Sequence, residues 1–299
     1  MIKEIQTKTI LNHVKQPDTY FGLKYNMNLY RGCQHQCIYC DSRSDCYQIG
    51  DFTEIHVKVN AIELLKDILP RKRVRGTIGF GSMNDTYMPV EKKYKMTRQA
   101  LEIIAEQRFP IHIITKSDLV VRDIDILKEI NKVFAAISFT ITTADDALSK
   151  KLEPGAPPSS ARFAAMKAVS AAGIHTGMTM MPILPFIEDT TENIINLVQM
   201  AHEAGASYIL PAFGMTLRAG SRDYYYDKLD LLFPGVKEKY IQRFGERYEC
   251  SSPNWRILDN VFQKRVYDCK IATKMPIFTP EKIDRSAKNR EDKEQLILF

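Results

Sequence analysis

The chain has 299 residues, 44% of them hydrophobic, and 42 Lys and Arg set against 36 Asp and Glu leave a formal charge of +6. That length supports one large core, near the size where single cores stop growing, and six cysteines are too few for a disulfide scaffold. No apolar run approaches the roughly 18 residues of a membrane span and the opening MIKEIQTKTI lacks the apolar stretch of a secretory signal, so a cytoplasmic chain with no membrane partner is the expectation.

Short strand-like runs alternate with longer helical ones. Strands are expected over residues 26–30, 77–81, 111–115, 135–142, 176–181 and 207–213. Asn60 is placed to cap a helix that stops at Pro70, Ser159 one that ends at Gly173, and Thr190 or Thr191 one that ends at Gly205. Six β/α units in succession build either a doubly wound sheet or a curved, incomplete barrel, and spacing leaves both open. Polar residues gather after the strands: cysteines after the first, Gly81 to Asp85 after the second, Lys116-Ser117-Asp118 after the third, and Thr142-Thr143-Ala144-Asp145 after the fourth. In a barrel all would share the C-terminal rim. The expected organisation is an N-terminal extension over 1–25, a core barrel over 26–220, a C-terminal extension over 221–281 closing its side, and a charged tail over 282–299. Within the third segment the sequence reads as aromatic-rich loops carrying Tyr224, Tyr225 and Tyr226. One amphipathic helix follows, starting near Ser252-Pro253, with Leu258, Phe262 and Val266 on one face.

The segment Tyr30 to Cys40 carries three thiols, Cys33, Cys37 and Cys40, at CxxxCxxC spacing. Thiolates are soft ligands for iron–sulfur cubes, and one short loop reaches three corners of a cube, leaving the fourth iron open. An open coordination site separates a reactive metal centre from a structural one. The competing readings are a structural zinc site completed by His35 or Cys46, and a ferredoxin-like electron carrier. Zinc motifs come as two separated pairs and the ferredoxin run has another spacing, so neither matches.

The CxxxCxxC loop, with Tyr39 just before its last cysteine, resembles the signature of the radical S-adenosylmethionine superfamily. The words Asn28-Leu29-Tyr30-Arg31-Gly32-Cys33, Gly79-Phe80-Gly81-Ser82-Met83-Asn84-Asp85, Thr115-Lys116-Ser117 and Leu152-Glu153-Pro154-Gly155-Ala156-Pro157 resemble its spore photoproduct lyase-like branch. The likeness runs from about residue 26 to 220. It implies a partial (β/α)6 barrel of the TIM type and a 4Fe-4S cluster on Cys33, Cys37 and Cys40. It also implies S-adenosyl-L-methionine on the open iron, cleaved reductively to a 5′-deoxyadenosyl radical that abstracts hydrogen from an unidentified substrate. Reducing the cluster requires a donor of flavodoxin or ferredoxin type.

The same resemblance directs attention to further residues. Gly81, Ser82, Asn84 and Asp85 form the leading cofactor segment beside Tyr39, and Asp85 and Tyr87 are candidates for a catalytic part. Against this stands an ordinary turn with Asp85 on the surface. Lys116 ends the third strand, where a cation meets the cofactor's carboxylate, and Ser138, Thr140 and Thr142 give the fourth a hydroxyl-bearing face suited to ribose; solvation and strand propensity compete. Glu153 and Arg162 are cofactor contacts or a surface salt bridge. The run Met180 to Pro185 is an adenine wall or core filling.

The basic run Arg71-Lys72-Arg73-Val74-Arg75 precedes a strand and so belongs on the barrel's N-terminal face, away from the rim. Better candidates for an anionic substrate, with DNA left open, are Lys92, Lys93, Lys95, Arg122, Arg218 and Arg222, with Tyr87 and Tyr224 to Tyr226 for stacking. Authentic spore photoproduct lyases resemble one another in a cysteine soon after the second strand. Here Ser82-Met83-Asn84 stands instead, which weakens thymine-dimer repair. Two readings of other classes remain, a non-catalytic iron–sulfur redox or sensor protein and a zinc-stabilised nucleic-acid-binding module.

Overall fold

The N-terminal part of the computed structural model holds β1 (Ile2–Ile5), β2 (Leu11–His13), β3 (Leu23–Met27), the two-residue β4 (Tyr30–Arg31) and β5 (Ile55–Lys58). Strands and helices then alternate through α1 (Ala61–Ile68), β6 (Thr77–Phe80), α2 (Glu91–Tyr94), α3 (Met96–Glu106), β7 (Ile111–Thr115), α4 (Ile124–Asn131) and β8 (Ala135–Thr140). They continue through α5 (Asp146–Leu152), α6 (Ser159–Ala171), β9 (His175–Met180), α7 (Thr191–Glu203) and β10 (Tyr208–Pro211). Last come β11 (Gly214–Thr216), α8 (Ser221–Leu232), α9 (Val236–Phe244), β12 (Glu249–Ser251) and α10 (Trp255–Asp268). The structure describes residues 1–16 and 18–279, so the charged tail expected over 282–299 lies outside the described residues.

The main sheet runs β10-β9-β8-β7-β6-β3-β2. Its six members from β3 to β10 are parallel, and β2 joins the β3 edge antiparallel. The two end strands are not paired with each other, so this is a partial (β/α)6 barrel. Every residue of β6 and β8 is buried, as expected of parallel strands covered on both faces. Among the described residues, no helix is long and apolar enough to cross a membrane.

The first barrel strand lies at Leu23–Met27, three residues ahead of its expected start. Tyr25 and Met27 are its buried positions, while Tyr30 opens β4 and pairs antiparallel with Val57 of β5 in a second sheet, β1-β5-β4. The apolar run thus serves two sheets in turn, and the cysteine loop hangs from the second. Thr190 caps α7 through the N–H of Asn193, at 3.2 Å. Asn60 does not cap with its side chain; its amide exchanges two hydrogen bonds of 2.9 Å with the backbone of Thr7 and pins the N-terminal segment. Ser159 is the first residue of α6, with Pro158 at the cap position.

The expected loops around Tyr224 to Tyr226 are instead the helix α8. Tyr225 and Leu229, one turn apart, bury against Tyr240 and Phe244 of α9, and this packing outweighs the weak helix preference of three consecutive tyrosines. The extension therefore has three helices where one was expected, and its strand β12 pairs back with β11 in the segment expected to belong to the barrel. The third, α10, buries Leu258, Phe262 and Val266 as anticipated and packs on α7. Arg222 is part of this core: its guanidinium donates to the carbonyls of Leu217, Gly245, Glu246 and Arg247. Arg222→Ala, which strands those carbonyls, should lower unfolding free energy by about 3 kcal/mol, whereas Arg71→Ala on the exposed N-terminal face should stay within about 0.5 kcal/mol; urea unfolding of both variants checks the contrast.

Candidate active site

Backbone contacts from a distant segment shape the cysteine loop. The N–H of Ile38 donates to the carbonyl of Leu152 at 2.9 Å, and the N–H of Gly155 donates to that of His35 at 3.0 Å. Gly155 is obligatory here, because a Cβ would lie 2.0 Å from the carbonyl oxygen of Gln34. Gly81 is equally constrained, with φ +90° and a Cβ position 2.0 Å from the oxygen of Ile114. From inside the loop Gln36 donates to the carbonyl of Cys33 and accepts from Arg43. The Arg43 guanidinium lies over the rings of Phe52 and Tyr224, at 4.5 and 3.7 Å.

The loop faces a cavity of about 580 Å³ lined by Cys33, Cys37 and Cys40, by Gly81 to Asp85, and by Lys116 and Thr140 at the strand ends. All three thiols are free. Burial pushes the Cys33 thiol up to about 12, helped by the nearby Asp85 carboxylate. It also raises Cys37 well above the usual thiol range, against the opposing pull of Lys116. Thiols so placed become thiolates when a metal centre supplies the compensating charge. Among the described residues, no three His, Cys, Asp or Glu side chains converge tightly enough to hold a single ion. Cys46 is exposed and lies 3.5 Å from the Arg218 guanidinium.

Around this centre the expected residues divide into those that reach the cavity and those that support it. Tyr39, Gly81, Ser82, Asn84, Asp85, Lys116 and Thr140 line it. Asp85 is buried, and its carboxylate accepts from the Tyr87 N–H and the Thr115 hydroxyl at 2.8 Å and from the Lys116 N–H at 2.6 Å. Asn84 donates to the carbonyl of Tyr30 at 2.7 Å, and Ser82 pairs with Asn26. Glu153 and Arg162 are a buried pair, 1% and 0% exposed, with Oε2 2.5 Å from the guanidinium. Tyr39 donates its hydroxyl to Glu153, and Lys116 Nζ stands 3.9 Å from the same carboxylate. Burial would raise the Glu153 carboxyl, but Arg162 and Lys116 outweigh it and hold the group below its ordinary range.

Other candidates lie elsewhere. Ser138 does not line the cavity; its hydroxyl sits between His112 and Tyr208, at 2.8 and 2.7 Å. Tyr87 is fully buried outside it. Arg122, expected to meet an anionic substrate, is tied to Glu91 and Asp123 at 2.7 Å. Two contributors escaped the sequence reading. His35 lines the cavity but was considered only as a zinc ligand. The hairpin of β11 and β12 pairs Thr216 with Glu249 and Gly214 with Ser251 on one face, all lining the cavity. Its other face buries Met215 and Cys250 among Tyr225 and Tyr240. These short strands meet across two intervening helices, so no local pattern announces them.

With this geometry in hand, comparisons with known proteins agree on one family. The radical SAM superfamily profile matches residues 27–198. The chain is 36% identical over 255 residues to the uncharacterized protein MJ0683 of Methanocaldococcus jannaschii, covering 84% of this chain and 86% of the relative. It is 26% identical over 181 residues to the radical SAM Nalpha-GlyT isomerase of Pseudomonas phage M6, covering 60% of this chain and 37% of that one. Among solved structures, spore photoproduct lyase complexed with dinucleoside spore photoproduct superposes with a TM-score of 0.66 at 16% identity, over 89% of this chain and 79% of the other, a likeness of fold. A three-cysteine loop on the rim of a partial barrel and a profile match over more than half the chain place this protein in the radical SAM superfamily, whose members use a 4Fe-4S cluster and S-adenosyl-L-methionine.

Proposed function

We propose that Cys33, Cys37 and Cys40 ligate a 4Fe-4S cluster with one open iron, and that the enzyme abstracts hydrogen from a substrate seated between that centre and the β11–β12 hairpin. When bound, the cluster and S-adenosyl-L-methionine supply reductive carbon–sulfur cleavage to a 5′-deoxyadenosyl radical, with the electron coming from a flavodoxin- or ferredoxin-type donor. One observation carries this reading: the three thiols, Lys116 and the Gly81 to Asp85 segment open into the same cavity.

The chain's own residues have distinct parts in it. Lys116 offers a cation to the cofactor's carboxylate, and Glu153 holds that ammonium in place from behind while Arg162 holds Glu153. Asp85 fastens the glycine-bearing rim to the end of β7 through the Lys116 N–H and the Thr115 hydroxyl. Gly81 admits close backbone approach. Met181 and Pro182 supply an apolar wall suited to a nucleobase face. The low exposure of Cys33 and Cys37 keeps water from the centre.

A purely electron-carrying protein would have no use for a cavity of this size with a lysine beside the cysteines, which disfavours the sensor reading. The substrate side is polar, lined by Asp41, Thr216, Glu249 and Ser251. For an anionic partner such as DNA, Arg218 is the most exposed of the three expected arginines, over Tyr248 at 4.5 Å and 3.7 Å from Asp41; Arg122 and Arg222 are committed internally. With Ser82 bonded to Asn26 and no cysteine between Cys46 and Cys250, thymine-dimer repair has little support.

Cys37→Ala should abolish reductant-dependent formation of 5′-deoxyadenosine, while Cys250→Ala, on the buried face of the hairpin, should leave it within about twofold, since its thiol meets none of the reacting groups. Chromatographic assay of the nucleoside decides, and cleavage that survives in the Cys37 variant overturns the ligand assignment. Lys116→Met should weaken S-adenosylmethionine binding by roughly ten- to a hundredfold, the loss of about 1.5–3 kcal/mol from one charged hydrogen bond, measured by calorimetry on the reconstituted protein.

A further inference from the structure

The two walls of the cavity carry different charges. On the cysteine side stands Lys116, with its Nζ 3.9 Å from Glu153; among the described residues it is the one Lys or Arg that lines the cavity. On the hairpin side Glu249 and Thr216, directly opposite each other in the β11–β12 register, line it together with Ser251. Asp41 joins them there. Its carboxylate accepts from the Tyr47 hydroxyl at 2.9 Å and from Thr216 Oγ1 at 3.4 Å, and Arg218 lies 3.7 Å away. Asp41 is thus answered by groups of the chain itself. Glu249 is not: among the described residues no cation and no hydrogen-bond donor meets its carboxylate, which is exposed on the cavity wall.

A second unmet group lies deeper. His35 is 1% exposed and lines the same cavity, and its Nε2 has no hydrogen-bond partner. A buried polar atom left without a partner marks a contact that a ligand completes. Beside the hairpin carboxylate the wall is apolar, made by Met215 and by Phe213, whose ring is held edge-on by Phe262 at 6.1 Å between centres. A phosphate brought to the hairpin would meet a carboxylate with no cation beside it and be repelled. An ammonium group carries three donors and no acceptor, which is what Glu249 and the hydroxyl of Thr216 call for, and a carbon skeleton attached to it would rest on Phe213 and Met215.

We infer that the substrate of this site is a primary amine, bound as its ammonium ion by Glu249 on the β11–β12 hairpin with Thr216 beside it, its apolar part against Phe213 and Met215. The inference rests on this cavity being the substrate site, as the functional reading above holds, and narrows it to a chemical class. Glu249 is then a specificity-determining residue, and Lys116 is left to the cofactor's carboxylate. The two charged ends of the cavity sort the two ligands, an anionic group to the lysine and a cationic one to the hairpin.

The test uses the full chain with its cluster reconstituted anaerobically and S-adenosylmethionine present, without reductant. Calorimetry compares three probes of one skeleton: phenethylamine, phenethyl alcohol and phenylacetate. The amine should bind about fivefold more tightly than the alcohol, the ordinary worth of a partly exposed ion pair, and phenylacetate should bind weakest. Glu249→Gln should bring the amine down to the level of the alcohol and leave the alcohol unchanged, and Glu249→Lys should put phenylacetate ahead of the amine. Raising the ionic strength should weaken the amine but not the alcohol, a reading that needs no variant. An amine no tighter than the alcohol, a parent that prefers phenylacetate, or an amine preference that survives Glu249→Gln would overturn the proposal. Assay of 5′-deoxyadenosine after adding reductant separates it from the functional reading. Cofactor cleavage without amine selectivity overturns this inference alone, whereas amine selectivity in a chain that takes up no iron and sulfide overturns the functional reading on which it rests.

Discussion

Charge cannot be buried alone, and at the mouth of this barrel that constraint organises everything else. Glu153 and Arg162 are almost completely withdrawn from water, a state that would be prohibitively costly for either by itself. They exist there only as a pair, with Tyr39 and Lys116 completing the set. The pair joins three pieces of chain that are far apart in sequence: the cysteine loop, the end of β7 and the start of α6. Replacing such a pair with apolar side chains often preserves stability. What it adds here is a common partner for Lys116 and Tyr39, both of which line the cavity.

A second carboxylate does comparable work on the opposite side. Asp85 collects donors from Tyr87, Thr115 and Lys116 and faces His35, so the β6 rim cannot move independently of β7 or of the cysteines. Asp85 lines the cavity into which the three thiols open, and Glu153 stands behind it through Lys116. This is a preorganised site in the sense that its polar groups are already oriented by one another and need little rearrangement when charge arrives.

The hairpin of β11 and β12 lines the cavity. That hairpin turns Thr216, Glu249 and Ser251 toward the cavity, and Met215 and Cys250 join the helical core behind it. Arg222 ties that core together by satisfying carbonyls that no secondary structure pairs. The same barrel rim with another hairpin would present another chemistry to the substrate, which is how one fold serves many reactions.

The cysteine spacing, the alternation of strand and helix runs and the polar words at strand ends were legible without coordinates, because each is a local pattern whose chemistry depends on neighbours in the chain. Through the resemblance they carry, these implied the family, the barrel and the residues of the rim, Lys116 and Thr140 among them. The sequence by itself also placed the basic run around Arg73 on the far face. Only the tertiary structure decided that Arg122 and Arg222 are structural, that Ser138 lies away from the cavity and that α8 replaces a loop. It alone brought His35 to Asp85 and the hairpin to the cysteines. The physical reason is the same throughout: an arginine, a histidine or a serine has one identity but several possible partners, and which one it meets is set by contacts between segments that the linear order does not bring together.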